Sequence, residues 1–232
     1  MKRFIKPMAV TLAAGTVFLA ACAKSSTTSS SSPSSTASAS SSPSATAAAP
    51  VTDSKAADLR TSVNLLFGQH LDEAIKAVDA ALGGRTAEFT AYGDILNTNG
   101  TDIGALIGQV YGADAQTRFN GIWSAHNADF VEYTQGLAAK DTAKQTDAVN
   151  KLTTVYIPQF SKFIADASGL PLDAVTGLVT DHITTTRAVV DDQAAGKEPD
   201  AAKADLMAAQ HMQKIGDPLA KAIVAKLPAK FS

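Results

Sequence analysis

The chain has a single cysteine, Cys22, so no intramolecular disulfide and no thiolate cluster can form. Its basic residues never cluster, which excludes the electrostatic footprint of a nucleic-acid-binding surface and a polybasic grip on anionic lipid. Glutamate is scarce. Glu73, Glu88, Glu132 and Glu198 are the four present, and none stands three positions before a histidine, so the Glu-x-x-His pairs of a di-iron bundle are missing. There is no Gly-x-Ser-x-Gly elbow, no His-Glu-x-x-His and no phosphate-binding loop, which removes the common hydrolase, zinc-peptidase and nucleotide signatures. No stretch alternates apolar and polar residues for long enough to make a half-buried strand. Yet 45 % of the chain is hydrophobic, enough for a core, and that core must come from helices.

The first 21 residues belong to export rather than to the fold. Lys2, Arg3 and Lys6 form a positive start, and Met8–Leu19 is an apolar run too short for a spanning helix. Leu19-Ala20-Ala21-Cys22 follows, and it resembles the lipobox of bacterial lipoproteins. The resemblance implies cleavage before Cys22, diacylglycerol on its thiol and acylation of the new amino terminus. Such a protein is exported and held by its lipid on the membrane, facing away from the cytoplasm; several acyl chains are needed, since one binds only marginally. Residues 22–53 are a Ser/Ala/Pro-rich linker. With no charged residue from Ser25 to Thr52, it buries too little apolar surface to offset its ordering entropy, so a disordered spacer is expected. Removing Lys2, Arg3 and Lys6 leaves 17 basic against 22 acidic residues, a net charge of −5.

Residues 54–232 suit one domain. Start and stop signals divide them into six helices. The first runs from Ser54 to Leu82 and ends at Gly83-Gly84. The second starts near Thr86, a candidate N-cap, and the third follows the Gly112 turn to Ala139. Asp141 caps a fourth that reaches Ala167. The fifth spans Leu172–Ala195, and the sixth runs from Pro199 to Lys226. Short loops between them favour antiparallel neighbours, hence an all-α, up-and-down bundle. Val63–His70, Phe119–His126 and Val175–His182 share a pattern at a spacing of 56 residues, with apolar residues seven, four and three before each histidine. This predicts three helical-hairpin repeats, none able to bury its stripe alone. The second helix of each hairpin contains a breaker: Asn99-Gly100, Pro158, and Gly216 with Pro218. Two readings stay open, bends that wrap the core and freed carbonyls that line a cavity.

His70, His126, His182 and His211 are the only histidines, and all four fall on apolar stripes near mid-helix. Inward residues at one level of an up-and-down bundle converge. Neutral imidazole ligates zinc, copper or iron, in haem or alone. Met207 and Met212 flank His211, and a thioether beside an imidazole suits copper(I) or a haem axial pair, which makes Met207 a fifth candidate ligand. His182 and His211 share a hairpin and form the first pair to expect. The competing expectation is a cofactor-free helical scaffold or protein-interaction module with its histidines buried for packing.

Two resemblances extend this. Gly68-Gln69-His70-Leu71-Asp72-Glu73 has the Gly-x-His-x-x-Glu spacing and resembles the motif of imelysin-like proteins, exported helical proteins tied to iron uptake. It implies a cation shared by His70 and Glu73, with His126 and Asp129 as an echo. Asn99-Gly100-Thr101-Asp102-Ile103-Gly104, Val110-Tyr111-Gly112, and His211-Met212 with Asp217 and Leu219 look like a group of exported bacterial helical proteins without an assigned activity. That likeness implies the fold and no function.

Overall fold

The computed structural model describes residues 51–232. The export segment, Cys22 and nearly all of the linker lie outside the described residues. The linker's last three residues, Val51–Asp53, form a 3₁₀ turn. Helices α1 (Lys55–Leu82), α2 (Thr86–Tyr111), α3 (Ala113–Ala139), α4 (Thr142–Lys151), α5 (Ile157–Ser168), α6 (Leu172–Ala194), α7 (Glu198–Lys226) and the one-turn α8 (Pro228–Phe231) follow. No strand occurs among the described residues, and none of their helices is long and apolar enough to cross a membrane.

The helices form a ring around one large core. Each packs on its chain neighbour, and α7 closes the ring against α1. Across the middle, α1, α3 and α6 also touch one another. On these three helices Val63, Phe119 and Val175, seven before the histidine, Phe67, Trp123 and Val179, three before, and Val78, Thr134 and Val190, eight after, are buried. Leu66, Ile122 and Leu178, four before, are only half-buried. Phe119, at 1 % exposure, stacks on Trp123 and meets Phe160 and Phe163 at a tilt. Burying a ring of this kind stabilises by about 1.5–3 kcal/mol.

Local chemistry sets the ends. The Ser54 hydroxyl accepts from the Ala57 N–H at 3.2 Å, and Asp141 caps α4 through the Lys144 N–H at 3.0 Å. Thr86 is not a cap. It is the first residue of α2, and Arg85 before it makes no capping bond because a guanidinium only donates; its side chain pairs with Asp79 and Glu88 instead. Gly112 alone joins α2 to α3, at φ 93°, a conformation that residues with a Cβ rarely adopt.

The expected fourth helix is divided. Residues Leu152–Tyr156 form a π-turn between α4 and α5. Pro158 explains it. Proline has no N–H to offer the preceding turn and its ring crowds the carbonyl four residues back, so the chain widens by one residue before the α-register resumes. Asn99-Gly100 is no fault at all. Gly100, Gly104 and Gly108 form a ridge on which α3 sits so closely that a Cβ would meet Trp123 at 2.8 Å, Asn120 at 2.0 Å and Gln116 at 2.3 Å. Gly216 serves α7 in the same way against Asn64 of α1. Beside it, Asp217 accepts from both the Arg60 guanidinium and Asn64 Nδ2, ties α7 to α1, and is held down at about 2, chiefly by its bond to Arg60.

Candidate metal centre

The inner triangle of α1, α3 and α6 brings His70, His126 and His182 together. Their ring centroids are 5.2 Å apart for His70 and His126, 6.2 Å for His70 and His182, and 6.3 Å for His126 and His182. One ring nitrogen from each lies within 4.8 Å of the other two. All three are buried, at 4 %, 1 % and 6 % exposure. Tetrahedral zinc with imidazole bonds of about 2.0–2.1 Å needs nitrogens about 3.4 Å apart, so the rings close in by roughly an ångström to hold an ion.

Each imidazole has a different setting. His126 Nδ1–H donates to the Trp123 carbonyl at 3.0 Å. A carbonyl only accepts, so the proton sits on Nδ1 and Nε2 keeps its lone pair. That is how a ligating histidine is usually oriented. Tyr156 stacks on the same ring at 4.5 Å, and Phe130 meets it edge-on. His182 Nδ1 lies 3.4 Å from the Thr186 hydroxyl. His70 Nδ1 is buried with no partner among the described residues. An orphaned ring nitrogen in a core is unfavourable unless something else satisfies it.

Burial keeps the cluster neutral. It is the main cause pushing His126 down to about 4, against a smaller upward pull from the Trp123 carbonyl. It also pushes His182 down to about 3, with His126 and His211 adding to the effect. His70 is lowered well below its ordinary value by burial, then by the other two imidazoles. Three neutral imidazoles at pH 7 have their lone pairs free, so a metal need not displace protons there.

A cavity of about 280 Å³ adjoins the three rings. Its walls are largely apolar, with Val78, Phe89, Leu96, Phe130, Val131 and Val190 among them, and it reaches the surface at the exposed Asn97, Ser124 and Ala128. Among the described residues no Asp, Glu, Lys or Arg lines it.

The remaining candidates fall elsewhere. His211 is buried, but its Nε2–H donates to the Leu178 carbonyl at 3.0 Å and it stands outside the ligand group, so the expected His182–His211 pair is not the one assembled. Met207 is 60 % exposed. The buried stripe of α7 runs through Ala208, Met212, Leu219 and Ile223, and Met207 lies one residue, about 100°, off it. Its neighbour Met212 faces the core instead. Glu73 and Asp129 are not in the ligand group either. Glu73 Oε1 lies 4.0 Å from Lys76 Nζ, and its Oε2 is buried without a hydrogen-bond partner among the described residues. Tyr156, stacked on His126, and Gly93, which lines only the adjoining cavity, carry no signal of their own in the sequence. Tyr156 stands on a readable stripe with Leu152 and Phe160, but nothing in the spacing shows which helix that stripe meets.

No family model, curated protein or solved structure matches the chain. The functional reading therefore rests on this geometry.

Proposed function

We propose that this bundle binds one transition-metal ion, copper or zinc, through His70, His126 and His182. The observation that carries the reading is three buried, neutral imidazoles from three separate helices with their ligand nitrogens within 4.8 Å of one another. The orphaned Nδ1 of His70 and the carbonyl-fixed tautomer of His126 support it. A three-imidazole set with an open fourth position suits zinc and copper. Non-haem iron ordinarily adds a carboxylate, and the group contains none. Haem fits poorly. The adjoining cavity of about 280 Å³ is below the roughly 300–1,000 Å³ of sites for drug-sized ligands, and a third imidazole this close obstructs a macrocycle between two axial ones. With the lipobox-like Cys22 the reading becomes a metal-binding lipoprotein, tethered outside the cytoplasm by its acyl chains.

Metal analysis of the purified protein after chelation and reloading tests this. One equivalent of copper or zinc is expected, with affinity reduced by at least about 100-fold in each of His70→Ala, His126→Ala and His182→Ala. His211→Ala and Met207→Ala should keep the wild-type stoichiometry. Failure to retain either metal overturns the proposal.

Two imidazoles, His126 and His211, already have carbonyl partners, which favours a second reading: a cofactor-free scaffold or interaction module for a protein partner. On that reading His70→Gln and His182→Gln fold normally and keep the cellular phenotype. On the metal reading they fold and lose it.

A further inference from the structure

The donor set brings no negative charge. The ligand group is three neutral rings, and every described residue lining the adjoining cavity is uncharged. A dication placed there is a buried, uncompensated double charge, among the least favourable arrangements in a protein interior. The protein leaves two features where the compensation has to come from: an open coordination position, and beside it a largely apolar cavity of about 280 Å³ that reaches the surface at Asn97, Ser124 and Ala128. Hydroxide from water would balance one charge but leave the apolar walls facing an empty space. A small monocarboxylate does both, with one oxygen on the metal and its hydrocarbon tail against Val78, Leu96, Phe130 and Val131. The volume, at the lower edge of ligand sites, limits the tail to a short chain.

We infer that the centre is a ternary site, in which a divalent ion on His70, His126 and His182 is completed by a short-chain carboxylate held in the cavity. This rests on the metal reading above, and metal and carboxylate strengthen each other's binding by the same factor.

Gly93 of α2 supplies the test. It lines the cavity, and a Cβ built on it meets nothing within 4 Å. Gly93→Leu therefore adds a side chain to the cavity wall from α2, a helix that carries none of the three histidines, and replacing glycine inside a helix favours folding. The purified protein is loaded with cobalt(II), whose visible bands report its coordination, and titrated with hexanoate. The bands are expected to change saturably, and cobalt(II) affinity to rise about tenfold at saturating hexanoate, an ordinary coupling between two ligands. Gly93→Leu should still bind cobalt(II) but lose the hexanoate response.

Bands and affinity indifferent to hexanoate in the loaded protein overturn the inference and leave the metal reading standing. So does retention of copper(I) alone, a monocation that needs less compensation, with cobalt(II) and zinc(II) refused. A hexanoate response unchanged in Gly93→Leu overturns the placement in the cavity. No uptake of any metal removes the metal reading and this inference together.

Discussion

His126 has its proton fixed on one nitrogen by a carbonyl of its own helix, one face covered by Tyr156 and Phe130 against its edge. That confinement has a measurable consequence in pH. His126 and His182 titrate at about 4 and about 3 in the folded chain, against 6.5 when exposed. Between pH 6.5 and those values the unfolded chain binds protons that the folded chain refuses. Stability from these rings is therefore complete above pH 6.5 and lost progressively as pH falls. Each tenfold loss of proton affinity on folding is worth about 1.4 kcal/mol, so by pH 5 each ring has withdrawn about 2 kcal/mol. Asp217, held down at about 2, loses its contribution around and below its ordinary 3.8, whereas Asp129 and Asp205, raised by burial, act in the opposite sense and favour the folded chain as pH falls. Urea unfolding of the metal-free protein at pH 7.5, 6 and 5 should show the decline. His126→Gln should flatten it. An unchanged slope in that variant would mean the ring is not held neutral.

At the level of the helix, the glycine ridge of α2 decides how the site is held. Trp123 lies against Gly100 on one side and against His70 and His126 on the other, with centroids 4.6 and 4.9 Å away. Gly100→Ala pushes a methyl group into a buried ring that has no room to turn, and should cost about 1–3 kcal/mol. It should also weaken metal binding through the displaced indole. Gly68→Ala, on the exposed face of α1 with nothing within 4 Å, should instead stabilise by up to about 1 kcal/mol. Urea midpoints of the two variants must move in opposite directions. Gly104→Ala should fall between, because the Asn120 amide it meets is the mobile end of a side chain. Much of this element pattern is legible in the sequence. Histidines on apolar stripes, Asp141 as a cap and the turn at Gly112 follow from spacing and backbone chemistry alone. Gly100 reads as a breaker there because a glycine that loosens a helix and one that admits a neighbour look alike until the neighbour is known. The π-turn is hidden because Pro158 marks a disturbance without saying whether the helix kinks, stops or widens. Met207 reads as inward because a stripe is about 100° wide, and one residue decides which side of its edge a side chain falls on.

For the whole molecule, the decisive fact is that the three imidazoles stand 56 residues apart in sequence and come from the three helices that meet across the ring. A site within one helix survives the opening of its neighbours. A site split over α1, α3 and α6 is lost when any one of them leaves, so the free energy of metal binding becomes free energy of the fold. At a free metal concentration about 1,000 times the dissociation constant the gain is about 4 kcal/mol. For a domain of this size 1 kcal/mol moves Tm by about 2–4 °C, so zinc should raise Tm by about 8–16 °C. His182→Ala should abolish the rise. His211→Ala should lower the starting Tm, since the Leu178 carbonyl loses its donor, yet show the same increment on loading. Hydrogen exchange separates this from adventitious binding at a surface. Amides of α1, α3 and α6 should slow together on loading, while α8 and the 3₁₀ turn at Val51–Asp53, which contribute nothing to the triangle, keep their rates. Protection confined to a single helix would mean the ion is held by neighbouring side chains on one surface and that the buried histidines are there for packing.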